Sequence, residues 1–191
     1  DGHADGLLLV GEAGIGKTSL LRWACRRAAE QGFTTLETVG LEGGVPASYA
    51  GLEELVLSFP TGVVDSLDES GLLSAVLDGT VSASAARIAA AFLDVVTRYA
   101  EANPVLVVVD DAQWMDESTV SAIATLARRA EIDRVAVIAG SRSPLGWWSS
   151  TALPSIDLTG LDETSAVALL RGVTDVSESQ ARDCWQATAG N

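Results

Sequence analysis

Five short, mostly apolar runs divide the chain, and a glycine or a polar residue follows each of them. Runs of about four to eight such residues are typical of strands that are buried on both faces of a parallel sheet. The predicted strands are Leu7–Val10, Phe33–Val39, Val105–Val109, Val135–Ala139 and Ser155–Leu158.

Segments with apolar residues at helical spacing separate these runs. In Lys17–Gln31, for example, one side carries Leu20, Leu21, Ala24 and Ala28, and Gly32 is a typical helix stop. Further helices are predicted at 51–59, roughly 63–77, 84–102, 118–130 with Asp116 or Ser118 as its cap, 163–170 and 177–188, and a loop at 143–154. Strands that alternate with helices predict an α/β fold built on a parallel sheet.

The segment Gly11–Thr18 follows the first strand and matches the phosphate-binding pattern G-x-x-x-x-G-K-[ST]. Its glycines let the backbone curl and bring N–H groups to the phosphates, and the following helix directs its positive dipole end at them. Lys17 reaches the β- and γ-phosphates in such loops, and Thr18 ligates Mg²⁺. The predicted nucleotide-binding residues are Gly11, Glu12, Ala13, Gly14, Ile15, Gly16, Lys17, Thr18 and Ser19.

Lys17 is the only lysine among the 12 basic residues, and all the others are arginines. A compact ammonium suits a phosphate cradle, where a planar guanidinium does not fit. The sequence therefore predicts a nucleoside triphosphate, ATP or ADP with Mg²⁺, as the ligand. Guanine stays open as the base, although no base-reading Asn-Lys-x-Asp motif occurs.

An acidic pair, Asp110 and Asp111, ends the most apolar strand. At that edge of a parallel sheet, Asp110 is expected to hold Mg²⁺, directly or through water. Asp111 is placed to orient or deprotonate an attacking water, although aspartate is one methylene shorter than glutamate.

Three further features lie near that edge or in the following loop. Arg142 ends the next strand and is predicted to sense the γ-phosphate, with a solvated surface arginine as the alternative. Gln113 either positions water or has a plain loop role. Trp147 and Trp148 either form an exposed contact surface or pack within the domain, and we favour packing.

Composition narrows the function classes. The net charge of −14 disfavours direct contact with nucleic acid or anionic lipid, and no apolar stretch is long enough to span a membrane. Cys25 and Cys184 lack metal-ligand or redox spacing and suggest two core thiols in a reducing compartment. Residues 1–5 do not resemble a secretory leader, so we expect a cytoplasmic protein. The first residue is not Met, which suggests a segment of a longer chain.

Together, the segments Gly11–Leu21 and Val105–Thr119 and the strand that ends at Ser141-Arg142 resemble the ATPase domain of large LuxR-type transcriptional regulators. Those proteins belong to the STAND class of P-loop NTPases, which are relatives of AAA+ ATPases. Val45–Leu52 resembles a short motif that the family has after its second strand, and Ala189–Asn191 resembles the start of its Gly-Asn-Pro motif. The resemblance covers roughly residues 7–191, and its most specific part is Asp110–Trp114.

The resemblance implies a three-layer P-loop NTPase sandwich with a mostly parallel sheet. It implies a core at 1–160 and the start of a truncated helical lid at 161–191. It also implies a signalling switch in which ATP or ADP occupancy controls self-association and contacts with other domains of the parent chain. By position, Lys17 and Thr18 bind phosphate and Mg²⁺, Asp110 binds Mg²⁺, Asp111 supports hydrolysis and Arg142 senses phosphate.

The chain departs from the family pattern at both ends. The upstream Gly-Arg-Glu motif and the lid beyond the Gly-Asn-Pro motif are not in these residues, and no residue stands out as an arginine finger. Two other functions stay open. One is a small-molecule kinase, although the part after Gly140 offers only Arg142, Arg171 and Arg182 around a transferred phosphate. The other is a module that binds nucleotide without turnover.

Overall fold

The computed structural model describes residues 6–43, 49–151 and 153–190. Residues 1–5, 44–48, 152 and 191 lie outside that description, and they include the first half of the motif at Val45–Leu52. The described part is an α/β domain, as the sequence predicts.

Five parallel strands form one sheet in the order β2-β3-β4-β1-β5. The strands are β1 Gly6–Val10, β2 Thr34–Val39, β3 Val105–Asp110, β4 Val135–Ser141 and β5 Ser155–Asp157. The helices are α1 Lys17–Glu30, α2 Ala50–Leu57, α3 Val63–Leu67, α4 Leu72–Leu77, α5 Ala85–Ala100, α6 Glu117–Asp133, α7 Gly146–Ser149, α8 Glu163–Val173 and α9 Glu178–Thr188. A 3₁₀ turn, Ala112–Trp114, joins β3 to α6. In the described ranges, no helix is both long and apolar enough to cross a bilayer.

The two faces of the sheet carry unequal helical layers. Alternate residues of β3 show the division: Val107 and Val109 enter a large core that includes buried residues of α2, α5 and α6, whereas Leu106 and Val108 enter a smaller core under α1. The apolar run of β3 is therefore continuous because both of its faces are covered. This is the predicted three-layer sandwich.

Helix α2 covers the outer edge of β2, which is the edge strand of the sheet. The Glu54 carboxylate accepts hydrogen bonds from the Val39 N–H at 3.1 Å and from the Thr38 hydroxyl at 2.7 Å. The Ser58 hydroxyl accepts from the N–H of Glu37 and donates to its carbonyl, both at 3.3 Å. These side chains occupy backbone groups that would otherwise be open to pairing with another strand.

The structure corrects two of the predicted segments. The single helix expected at 63–77 is two short helices, α3 and α4, because the Asp68 carboxylate accepts a hydrogen bond from Leu73 N–H at 2.6 Å and Gly71 takes φ +62°. The predicted loop at 143–154 contains α7. Trp148 of α7 is 2% exposed, and its Nε1 donates to the carbonyls of Leu153 and Pro154. For Trp148, packing within the domain is therefore confirmed.

The two cysteines have different surroundings. Cys25 lies half-buried on α1, against the smaller core, and burial together with the charge of Glu37 raises the pKa of its thiol to about 11. Such a thiol is a poor nucleophile at neutral pH. Cys184 is exposed on α9, so the prediction of two core thiols is wrong for Cys184.

Asp116 joins the N-termini of two helices. It is 8% exposed, and it caps its own helix α6 by accepting from Thr119 N–H at 3.0 Å and from the Thr119 hydroxyl at 2.6 Å. It also accepts from Tyr49 N–H at 3.0 Å and Gly51 N–H at 3.3 Å, at the start of α2. Burial opposes the charge, but the hydrogen bonds outweigh it and lower the pKa of Asp116.

Replacing Asp116 by alanine should lower the free energy of unfolding by about 2–3 kcal/mol at pH 7, because four donors at two helix ends lose a charged acceptor. The pKa of Asp116 is lowered in the folded state, so its contribution is complete above the unfolded pKa of about 3.9. The contribution is lost as the pH falls through the lowered value. Denaturant unfolding of both proteins at pH 7 and pH 3 should therefore show a difference that shrinks in acid.

Asp162→Ala is the matched control, because Asp162 caps only its own helix α8 and is exposed. It should destabilise the protein less than Asp116→Ala at pH 7. An Asp116→Ala deficit that stays constant from pH 7 to pH 3 would contradict the charged-cap interpretation.

Candidate functional site

The loop between β1 and α1 has the tight backbone that its glycines predict. Gly14 and Gly16 take φ values of +86° and +105°, which side-chain-bearing residues rarely adopt. A Cβ atom at Gly11 would come within 2.9 Å of Ile15 Cγ2 and 3.2 Å of the Leu158 carbonyl oxygen. Helix α1 begins directly after Gly16, so its N-terminal end opens at this loop.

Lys17 is held against the loop by its own ammonium group. It is 6% exposed, and its Nζ donates hydrogen bonds of 2.8 Å to the carbonyl oxygens of Gly11 and Glu12. A buried ammonium needs such acceptors, because an unpaired charge would be costly to bury. The positive charge thus lies beneath the loop that the sequence predicts to hold phosphates.

Thr18 and Asp110 meet across the strand that separates them. The Thr18 hydroxyl on α1 donates to Asp110 Oδ2 at 2.6 Å, although β4 lies between β1 and β3. Gly140 of β4 makes this approach possible: a Cβ atom there would come within 3.2 Å of Asp110 Oδ1 and 3.6 Å of Lys17 Cβ. A hydroxyl and a carboxylate so close together are hard oxygen donors of the kind that Mg²⁺ prefers.

The described residues contain no cluster of three or more His, Cys, Asp or Glu that could hold a metal ion. A pair of oxygen donors fits the usual Mg²⁺ site of phosphate-binding proteins, where one or two protein groups act together with substrate phosphates and water. Thr18 and Asp110 therefore suit a cation that arrives with a nucleotide.

Asp111 occupies an unusual backbone position beside Asp110. Its φ is +47°, in the left-handed region, and its N–H donates to Asp110 Oδ1 at 2.9 Å. Its own Oδ1 accepts from Gln113 Nε2 at 2.8 Å. Gly40, just after β2, allows this conformation: a Cβ atom there would overlap the backbone oxygen of Asp111.

Arg142 lies at the same edge of the sheet, as predicted from its strand. Its Nη2 is 3.2 Å from Glu42 Oε2, and its Nε is 3.9 Å from Asp111 Oδ1. Its backbone N–H donates to Gln113 Oε1 at 3.1 Å. The Arg142 side chain is 40% exposed, so solvent weakens both ion pairs and the side chain is accessible to an incoming anion.

A pocket of about 240 Å³ joins these elements. Its lining residues are Ala13, Gly14, Gly16, Lys17, Thr18, Ser19, Asp110, Asp111 and Arg142. Gly11, Glu12 and Ile15, which the sequence also predicts, support the loop without lining the pocket. No sequence pattern indicates Glu42, because an exposed acid in a loop has no distinguishing signal before the fold brings it to Arg142.

Gly40→Ala should disturb the site through the backbone of Asp111. The added methyl group must displace the Asp111 carbonyl, so we expect a loss of about 1–3 kcal/mol in unfolding free energy and a shift of the acidic pair. Denaturant unfolding measures the first effect, and amide chemical shifts of Asp110 and Asp111 report the second.

Gly172→Ala is the control, since Gly172 is in α8 and a Cβ atom there would meet nothing within 4 Å. It should raise the unfolding free energy by about 0.4–1 kcal/mol, the usual gain of alanine over glycine in a helix. If both glycine variants behave alike, the close contact at Gly40 does not constrain Asp111.

Comparisons with known proteins agree with this geometry. The sequence profile of the AAA ATPase domain matches residues 1–138. No curated protein matches the sequence. Among solved structures, a signal transduction ATPase with numerous domains (STAND) from Pyrococcus horikoshii, with a tetratricopeptide repeat sensor, is 19% identical with a TM-score of 0.60. The alignment covers 97% of this chain and 26% of that protein.

Two further structures share the fold. One is the Drosophila ORC bound to DNA, with 16% identity, a TM-score of 0.56 and coverage of 90% of this chain and 42% of the other. The second is the E. coli MS115-1 HORMA:CdnC:Trip13 complex, with 13% identity and a TM-score of 0.53. The alignment covers 96% of this chain and 58% of the other. This chain thus spans from about a quarter to about three fifths of the length of these three matched chains. The profile covers well over half of the sequence, and the chain belongs to the AAA ATPase domain family.

Proposed function

We propose that this chain is an ATP-binding and slowly hydrolysing switch module of a multidomain signalling protein. The observation that carries the proposal is the single pocket that brings Lys17, Thr18, Asp110, Asp111 and Arg142 together. These residues come from three separate parts of the sequence, and each has chemistry suited to one part of a Mg²⁺–triphosphate.

Binding would use the loop, the start of α1 and Lys17. Residues 12–14 are exposed, and the loop and the N-terminal end of α1 would direct backbone N–H groups at phosphate oxygens. The Lys17 ammonium, now on the carbonyls of Gly11 and Glu12, lies close enough to turn toward the β- and γ-phosphates. Thr18 and Asp110 would hold Mg²⁺, which neutralises charge on the phosphates when it is bound.

Hydrolysis would use Asp111 and Arg142. Asp111 accepts a proton from water as the water oxygen bonds to the γ-phosphorus and the bond from that phosphorus to the β–γ bridging oxygen breaks. Arg142 moves from Glu42 to the γ-phosphate and stabilises its charge. Because the reach of Asp111 is short, we expect slow turnover, which suits a switch whose state must persist.

The regulatory part of the proposal rests on the resemblance to LuxR-type regulators and on the similarity to a STAND protein with a repeat sensor. On this view, ATP or ADP occupancy controls contacts with other domains of a cytoplasmic parent protein, and self-association follows the nucleotide. The net charge of −14 argues against direct binding of nucleic acid or anionic membranes by this segment.

Helices α8 and α9 would be the start of the helical lid proposed for 161–191, next to a core at 1–160. The two helices pack on each other, and the Arg182 Nε to Glu163 Oε1 ion pair of 2.8 Å and the Trp185 Nε1 to Leu161 carbonyl bond of 2.7 Å tie them together. A paired helical unit of this kind can move as one body when nucleotide binds.

The kinase alternative has less support. Arg171 and Arg182 are engaged with Glu178 and Glu163 in α8 and α9, and the pocket lining includes neither of them. Of the three arginines after Gly140, only Arg142 lines the pocket, where it would act on a phosphate in transfer. The alternative of binding without turnover leaves no use for the second carboxylate, Asp111.

Lys17→Ala should weaken the binding of both ATP and ADP by about 1.5–3 kcal/mol, because a charged hydrogen-bond donor to phosphate is lost. Calorimetric titration with Mg²⁺ measures both affinities, and the ATP-to-ADP ratio of the native chain shows whether the γ-phosphate is sensed. Arg27→Ala, which removes the same charge from the far end of α1, should bind as the native chain does. Equal affinity of native protein and Lys17→Ala would exclude Lys17 from the site.

Asp111→Asn should lower the rate of phosphate release roughly 100-fold while ATP affinity stays within about threefold, because a general base is removed and the phosphate contacts remain. Phosphate release and calorimetry on the same samples test this. Binding without release by the native chain would favour the module without turnover. Phosphate transfer to an added metabolite in place of water would favour the kinase.

A further inference from the structure

Gln113 connects the two residues that we assign to the hydrolytic step. Its Nε2 donates to Asp111 Oδ1 at 2.8 Å, and its Oε1 accepts from the backbone N–H of Arg142 at 3.1 Å. The orientation of the carboxamide is fixed chemically, since a backbone N–H only donates and a carboxylate accepts. The Gln113 side chain thus bridges the ends of β3 and β4.

The other contacts between these residues are looser. The Arg142 Nε lies 3.9 Å from Asp111 Oδ1, beyond hydrogen-bond distance, and the guanidinium is closer to Glu42. Asp111 also has a left-handed backbone, which a non-glycine residue keeps only when its surroundings hold it there. Among the described residues, the Gln113 bond is the shortest contact of the Asp111 carboxylate.

We propose that Gln113 is a positioning residue that sets the Asp111 carboxylate and the Arg142 backbone at a fixed separation for hydrolysis. Oδ1 of Asp111 takes the amide hydrogen, and Oδ2 is the oxygen that would accept the proton of the attacking water. Gln113 acts through Asp111 and Arg142, which its carboxamide binds at its two ends. This inference rests on the proposed hydrolytic function.

The position of Gln113 in the chain supports this role. It lies in the 3₁₀ turn that follows Asp111, and this turn is braced by a backbone bond of 2.9 Å from Trp114 N–H to the Asp111 carbonyl. Asp116 then anchors the same connection to the starts of α2 and α6. The carboxamide therefore projects from a constrained segment, which a positioning group needs because small displacements of a catalytic group lower rates strongly.

Gln113→Ala removes both bonds and Gln113→Glu removes one of them. Glutamate has the same length, keeps an acceptor for the Arg142 N–H and places an acceptor where Asp111 needs a donor. We expect both variants to lower kcat roughly 10- to 100-fold, with the dissociation constant for Mg-ATP within about twofold of native. The control is Gln186→Ala, which removes a carboxamide from an exposed position on α9 and should leave both constants unchanged.

A double-mutant cycle with Asp111→Asn distinguishes a role of Gln113 in positioning Asp111 from a general effect of Gln113 on the structure. Once Asp111 is no longer a base, Gln113→Ala should change the residual single-turnover rate less than about twofold, because coupled residues are not additive. Additive losses in the cycle, a fall in ATP affinity equal to the fall in kcat, or native kcat in both Gln113 variants would each overturn the role. If Gln113→Ala does not fold, the isosteric Gln113→Glu decides.

The native chain is measured first in the same assay. If it binds ATP and hydrolyses none, the proposed function fails, and the role of Gln113 fails with it. If the native chain hydrolyses ATP and the Gln113 variants do so equally fast, only the role of Gln113 fails.

Discussion

The hydrogen bond between Thr18 and Asp110 is the contact on which the rest of the site depends. It joins the first turn of α1, the helix that follows β1, to the end of β3, and β4 lies between β1 and β3 in the sheet. The contact needs parallel strands, so that their carboxyl ends meet at one edge of the sheet. It also needs a β4 residue without a side chain between Thr18 and Asp110. Leu9 pairs with Gly140, and Val109 pairs with the preceding Ala139, so the glycine falls at the level where Asp110 must pass.

Three aspartates in the segment 110–116 have different roles although their side chains are chemically identical. Asp110 faces Thr18, Asp111 faces Gln113 and Arg142, and Asp116 turns inward to cap α6 and hold the start of α2. The first two reach a pocket open to solvent, whereas Asp116 is buried among donors. The site and its support are therefore adjacent in sequence, and a change to the turn that joins them affects both.

The sequence predicts the strands and the pocket well because both follow from local patterns. A glycine-rich loop after an apolar run, an acidic pair after another run and an arginine after a third share one edge whenever the sheet is parallel, and the structure brings Lys17, Asp110 and Arg142 together. Side-chain contacts between residues that are far apart in the sequence produce no local sequence pattern, so they could not be predicted. The bond of Gln113 to Arg142 and the ion pair of Glu42 with Arg142 join residues that only the folded sheet makes neighbours.

The interruption between α3 and α4 shows a second limit of sequence-based prediction, which concerns local structure. Apolar periodicity runs through 63–77 without a proline, and it predicts one helix. The Asp68 carboxylate instead accepts from the Ser70 hydroxyl and the Leu73 N–H, and these bonds, with Gly71, outweigh the periodicity. Local side-chain hydrogen bonds of this kind compete with helical ones, and their geometry decides which set forms.

The charges of the side chains that line the pocket limit which interactions could attract a triphosphate to it. Lys17 and Arg142 are balanced by Asp110 and Asp111, and the whole chain carries a charge of −14. Side-chain charge alone therefore gives no net attraction for a polyanion. Attraction must come from the backbone N–H groups of the loop, from the N-terminal end of α1 and from a cation that binds with the nucleotide. On the proposed function, loss of the γ-phosphate would change the contacts of Arg142 and Asp111 more than those of the loop, which is the asymmetry that a nucleotide switch requires.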